Sequence, residues 1–181
     1  MNLEEKFVSS KSVFKGKLLD IYVDDIELPN GSFATREYTK HMGAVCVAPV
    51  IDGDSLLFVK QYRYPVGRVV LELPAGKLDV GEEPTHAALR ELEEETGAKT
   101  DTLIDMGKLL PTPAYSSEII YLYLAYIEGI GECSPDEDEF LETVKIPVDK
   151  AVEMVMSGEI EDAKTQALVL KAALYLKAEK N

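Results

Sequence analysis

Between Gly76 and Ala98 the chain gathers Glu91, Glu93, Glu94 and Glu95 around Arg90 and closes the run with Gly97. Thr85 to Thr96 carries helical chemistry, and Gly97 stands where a left-handed glycine ends a helix. At roughly 100° per residue, Glu91, Glu94 and Glu95 share an arc of roughly 100°, while Glu93 points away from it. Ala88, Leu89, Leu92 and Thr96 form an adjacent, largely apolar stripe. Such a helix packs by one side and aims three carboxylates together beside it. Like charges that close repel unless a cation sits among them, and hard oxygen ligands suit Mg²⁺, or Mn²⁺, rather than zinc. A solvated acidic face is the plain alternative. Arg90 inside the cluster, the glycine hinge before it and the helix-ending glycine weigh against that.

The charge balance fits the same reading. With 19 basic against 33 acidic side chains the 181-residue chain carries a net −14, which opposes coating nucleic acid. If it handles phosphates, divalent cations must supply the positive charge. Its longest apolar runs, Gly43–Ile51 and Ile119–Ile127, have the length of a buried strand and about half that of a membrane span. The start, Met1-Asn2-Leu3-Glu4-Glu5, has no basic, apolar signal character, and Cys46 and Cys133 form no CxxC pair. A soluble cytoplasmic protein with neither a membrane nor a nucleic-acid partner is expected.

Along the chain, Asp20–Leu28 and Ser32–Lys40 read as a β-hairpin about the turn pair Asn30-Gly31. Gly43–Ile51 and Leu56–Tyr62 form a second hairpin about Asp52-Gly53-Asp54, and Val69–Leu73 a short strand closed by Pro74-Ala75-Gly76. Strands near Asp105–Leu110, Glu118–Ile127 and Thr143–Ile146 follow, with an acidic loop over Pro135–Glu142. Helices over Val148–Ser157 and Ala163–Lys180, the last capped by Asp162, complete the pattern. The expectation is an α/β domain with a mixed sheet over residues 41–181, preceded by an N-terminal β-hairpin region over residues 1–40.

The stretch from Gly76 to Ala98 resembles the Nudix box, G-x5-E-x7-R-E-U-x-E-E-x-G-U with U apolar. Its specified positions fall on Gly76, Glu82, Arg90, Glu91, Leu92, Glu94, Glu95, Gly97 and Ala98, the last smaller than the usual aliphatic residue. The resemblance implies a Nudix-type α/β/α sandwich in which the box helix holds metal ions against a pyrophosphate. It implies Glu91 and Glu95 as principal ligands, Glu94 close by, and the backbone carbonyl of Ala75 as a further ligand. Arg90 and Glu82 pair, by the same resemblance, to orient loop and helix.

Outside the box the chain is similar to the ADP-ribose pyrophosphatase group. Pro113 stands 16 residues after Gly97, although Ala114 replaces the glycine that commonly follows. Gln61-Tyr62-Arg63, Leu71-Glu72-Leu73-Pro74-Ala75-Gly76, Arg36-Glu37 and Asp162-Ala163-Lys164-Thr165 add to the likeness. It implies Arg36 and Arg63 at phosphates or ribose, and Glu37 and Glu118 at substrate hydroxyl or amino groups. The box helix offers no spare base, whereas a loop folding over substrate can supply one. In similar enzymes such a loop gives the base and one more metal ligand. Glu137 is assigned as base and Glu139 as ligand, and the two roles are exchangeable. The resemblance also implies a homodimer whose N-terminal strands, here bearing Tyr22 and Phe33, exchange between subunits to build an adenine pocket. The expected reaction is metal-dependent hydrolysis of ADP-ribose to AMP and ribose 5-phosphate. Alternatives are another nucleoside diphosphate derivative (GDP-mannose, FAD or NADH) or a sensor that binds ADP-ribose without cleaving it.

Overall fold

The computed structural model describes residues 2–135 and 139–180. They divide into two compact units, Met1–Gly43 with Leu110–Ile119, and Ala44–Leu109 with Ile120–Asn181.

The first unit is an antiparallel sheet of β1 (Lys6–Lys15), β2 (Asp20–Glu27) and β3 (Phe33–Thr39). The expected hairpin is β2–β3, in register from Ile21 opposite Thr39 to Glu27 opposite Phe33. What the sequence did not suggest is β1, a third strand along the edge of β2. All ten of its residues are exposed, so it has no buried face to impose an alternation. The segment from Leu110 to Ile119 joins the end of β3 through Thr39 N–H to Tyr115 O (2.9 Å) and Ser117 N–H to Thr39 O (3.0 Å).

The second unit holds β4 (Ala44–Ile51), β5 (Ser55–Arg63), β6 (Arg68–Glu72), β7 (Ala75–Lys77), α1 (Pro84–Thr96), β8 (Ala98–Lys99) and β9 (Leu103–Leu109). It continues with β10 (Ile120–Tyr126), β11 (Gly129–Ile130), β12 (Leu141–Pro147), α2 (Val148–Ser157) and α3 (Ala163–Glu179). The sheet runs β12-β5-β4-β10-β9, with β6 on β5 and β7 on β4, and β8 pairs β11 separately. It is mixed, because β10 runs parallel to β4 while the other pairs are antiparallel.

Alternation along β4 divides the core. Ala44, Cys46, Ala48 and Val50 pack on the side of Ala151 and Val155 of α2 and Leu168, Val169 and Ala172 of α3. Val45 and Val47 pack on the opposite side, against Ala87, Ala88 and Leu92 of α1. A strand buried on both faces reads as a continuous apolar run, and a sheet between two helical layers is an α/β/α sandwich. The Asp162 carboxylate caps α3 by accepting Thr165 N–H at 2.9 Å. Among the described residues no helix is long and apolar enough to cross a membrane.

Candidate active site

Helix α1 begins at Pro84, a residue suited to a first turn, and ends at Gly97 with φ 67°, where the cap N–H reaches Glu93 O. A Cβ at Gly97 would run into the backbone of Gly131, so the position demands glycine twice over. Ala87, Ala88, Leu92, Glu95 and Thr96 are buried, and Leu89 is only half-buried. The packing stripe is therefore rotated away from Leu89 toward Ala87 and Glu95, which brings Glu95 to 4% exposure. Glu93 points away as expected and pairs with Lys99 at 2.7 Å.

Arg90 organises the loop that leads into the helix. It donates from Nε to Glu82 Oε1 and from Nη2 to Glu82 Oε2, both at 3.0 Å, and from Nη2 to Lys77 O at 3.2 Å. Its Nη1 donates to Glu91 Oε1 at 2.9 Å and Glu94 Oε2 at 3.0 Å. The Arg90 hydrogen bonds, helped by Asp79 N–H, hold Glu82 down to a pKa of about 2.

Glu95 accepts Ala75 N–H at 3.1 Å. Burial pushes its pKa up to about 8 against that hydrogen bond, and the charges of Glu91 and Glu139 push the same way. Burial also raises Glu91, opposed by Arg90 and reinforced by Glu94 and Glu139. Glu139 thus acts on both helix carboxylates. Ser134 N–H donates to Glu94 O of α1 at 2.9 Å, and Leu141, two residues after Glu139, pairs with Gln61 in the sheet. Glu137 lies outside the described residues.

These groups suit a divalent cation in kind, since all are hard oxygen donors whose repulsion a cation would relieve. Gly76 makes room for them: a Cβ there would overlap the Glu91 carboxyl. Among the described residues no three such side chains close on one point, because Glu91 and Glu94 turn to Arg90 and Glu95 to Ala75. Gly76→Ala is accordingly expected to cut turnover by about 10²-fold or more while melting within about 5 °C of wild type, because the flexible Glu91 end yields before backbone does. Thermal unfolding beside steady-state kinetics checks this, and unchanged kcat would remove the need for a glycine here.

Arg63, expected at phosphates, is gripped by Glu72. It donates from Nε to Oε1 at 2.6 Å and from Nη2 to Oε2 at 2.8 Å. Lys164 shares the same carboxylate and stands 3.1 Å from Asp162. Burial opposes ionisation of Glu72, yet the two cations keep its pKa below the ordinary carboxylate value. Sequence reasoning assigned no role to Glu72 or Lys164, although a glutamate inside the apolar run Val69–Leu73 was a visible signal.

The remaining expected residues belong to the first unit. Arg36 pairs with Glu5, and Glu37 is exposed beside it. Adjacent strand residues face opposite sides, so the two do not converge from one face of the sheet. Pro113 follows Thr112 in a turn closed by Tyr115 N–H to Thr112 O at 3.2 Å. Glu118 comes within 3.9 Å of His41 Nδ1, which already accepts Gly43 N–H at 3.1 Å, so no hydrogen bond joins the pair.

Hard oxygen donors gathered beside an arginine clamp on one helix suit chemistry on phosphate groups through divalent cations. Residues 40–169 match the NUDIX domain and residues 5–39 the nucleoside diphosphate sugar hydrolase N-terminal domain. The chain belongs to the Nudix family, whose hydrolases need a divalent metal, and it is a Nudix pyrophosphatase. An ADP-ribose pyrophosphatase of Bacillus subtilis (strain 168) is 44% identical to it, over 96% of this chain and 97% of the relative. A methanol dehydrogenase activator of Bacillus methanolicus is 38% identical, over 94% and 96%. A solved ADP compounds hydrolase shares the fold with a TM-score of 0.88 at 24% identity, covering 99% of this chain and 98% of that one.

Proposed function

We propose that this chain hydrolyses the pyrophosphate bond of ADP-ribose, giving AMP and ribose 5-phosphate, with Mg²⁺ as its metal and Mn²⁺ able to replace it. The observation that carries the substrate is the 44% identity, along nearly the whole of both chains, to a protein named for that activity. In this reading Glu91, Glu94, Glu95, Glu139 and the Ala75 carbonyl hold the metal. Bound divalent ions supply charge against the pyrophosphate and make the attacking water more acidic. Glu137 takes that proton, with exchange of roles with Glu139 as the variant. Arg90 keeps Glu91 and the loop in place. Arg63, clamped on Glu72, presents its remaining donors to a phosphate or ribose, as does Arg36. Glu37, Glu118 and Pro113 contact the rest of the substrate.

The functional protein in this reading is a homodimer. Phe7, Val8, Val13, Phe14, Leu18 and Phe33 are exposed on the first unit, a concentration of apolar surface that pairing of two copies would cover. Sedimentation is expected to give twice the chain mass, and a stable monomer would contradict the dimer. A cytoplasmic setting accords with two free cysteines. The match of residues 5–39 to the nucleoside diphosphate sugar hydrolase N-terminal domain keeps another nucleoside diphosphate derivative (GDP-mannose, FAD or NADH) as the second reading. A panel of ADP-ribose, GDP-mannose, FAD and NADH distinguishes them. The expected result is a kcat/KM for ADP-ribose about tenfold or more above the others. A preference for NADH would keep the Nudix chemistry and discard the substrate.

A further inference from the structure

The Asp162-Ala163-Lys164-Thr165 stretch has no part in the chemistry so far, yet it touches the segment that holds Arg63 through Glu72 and carries Ala75. Residues 72–75 lead the chain from β6, paired with β5, to β7, paired with β4. Each residue of this crossing is held separately. The Glu72 side chain takes Arg63 and Lys164. Leu73 N–H donates to Thr165 Oγ1 at 2.9 Å, Pro74 O accepts Val47 N–H at 2.9 Å, and Ala75 N–H reaches Glu95. Two of these four fastenings come from the first turn of α3, 92 residues downstream.

We infer that this turn is a positioning element, in which Lys164 and Thr165 set the 72–75 crossing and thereby both the Arg63 guanidinium and the Ala75 carbonyl. The turn is built rigidly for that task. Asp162 Oδ2 accepts Thr165 N–H at 2.9 Å and also lies 3.1 Å from Lys164 Nζ, so one carboxylate holds both residues. Thr165 and Leu73 are fully buried, and Glu72 is 2% exposed. Two carboxylates face two cations, so the group is balanced in charge. Arg63 spends Nε and Nη2 on Glu72 and keeps Nη1 for another partner. It does so beside an open hollow of about 410 Å³ that Pro65, Val66 and Arg68 also line. Losing Lys164 leaves an excess negative charge behind the guanidinium; losing the Thr165 hydroxyl frees the backbone two residues before Ala75.

This inference rests on the reading of Arg63 as a phosphate contact and of Ala75 as a metal ligand. It is tested with Thr165→Val, Thr165→Ser and Lys164→Met in the full chain. Mn²⁺ binding is followed by electron paramagnetic resonance, and kcat and KM on whichever nucleoside diphosphate derivative the wild type cleaves. Thr165→Val is expected to weaken Mn²⁺ binding about tenfold, and Thr165→Ser to restore it. Lys164→Met is expected to raise KM about tenfold with kcat within about threefold. Folded variants whose Mn²⁺ affinity, KM and kcat all stay within about twofold of wild type, whatever their melting temperatures, would overturn the inference. If Thr165→Val does not fold, Lys164→Met decides alone, because Glu72 keeps Arg63 and no buried donor is stranded. Mn²⁺ binding needs no substrate, so failure of the ADP-ribose reading leaves this test standing.

Discussion

Glu95→Gln is expected to lose turnover on the order of 10³-fold and, without metal, to melt higher than the wild type in alkaline solution. Both effects come from one carboxylate. Glu95 is 4% exposed. Burial first, then the charges of Glu91 and Glu139, lift its pKa to about 8 from an ordinary 4.5, against the hydrogen bond from Ala75. Between those two values the folded protein holds a proton that the unfolded chain releases. Stability is therefore full below the lower value, falls as pH rises, and has lost this contribution once pH passes the upper one. Glutamine keeps an acceptor for Ala75 N–H and never ionises. At about pH 8.5 in EDTA the variant should gain about 2 kcal/mol, roughly 5 °C in Tm, and near pH 4.5 the gain should vanish. Thermal unfolding across pH beside kinetics in Mg²⁺ checks both. A folded Glu95→Gln enzyme with turnover within about tenfold of wild type would remove Glu95 from the metal site.

Replacing Arg90 should do the opposite to stability. Its guanidinium binds Glu82 by two bonds and also reaches Lys77 O, Glu91 and Glu94. Arg90→Met leaves three carboxylates without their shared cation. A fully buried broken pair would cost more, but the Arg90 side chain is 32% exposed, and solvent screening reduces the loss to about 2 kcal/mol, roughly 5 °C. Turnover should fall about 10²-fold or more, because Glu91 and the Gly76–Glu83 loop lose their common anchor. Arg90→Lys should recover little of this, since a point charge cannot reproduce the fork on Glu82. A variant of either kind with wild-type kcat would show that the clamp merely stabilises.

The limits of α1 and α3 were legible to within a residue because Gly97 and Asp162 are local punctuation, and the expected span Val148–Ser157 is that of α2. The arc of Glu91, Glu94 and Glu95 followed from helix period alone. What was not legible depends on distant partners. Lys6–Lys15 buries nothing, and Ala75–Lys77 is a strand only because β4 lies beside it. Leu89 yielded its buried place to Ala87 since helix rotation is set by the sheet beneath it. The Arg63–Glu72–Lys164 group joins residues 9 and 92 positions apart, with no local spacing to announce it. Glu139 was visible as one acid in an acidic loop, whereas its action on Glu91 and Glu95 depends on how the chain returns past α1.

The most direct test incubates the protein with ADP-ribose in Mg²⁺ and, separately, in EDTA, and resolves the products by chromatography. The prediction is AMP and ribose 5-phosphate in equal amounts with Mg²⁺ and neither with EDTA. Bound but uncleaved ADP-ribose in Mg²⁺ would contradict the proposed hydrolysis of this substrate and make the chain a binder of ADP-ribose.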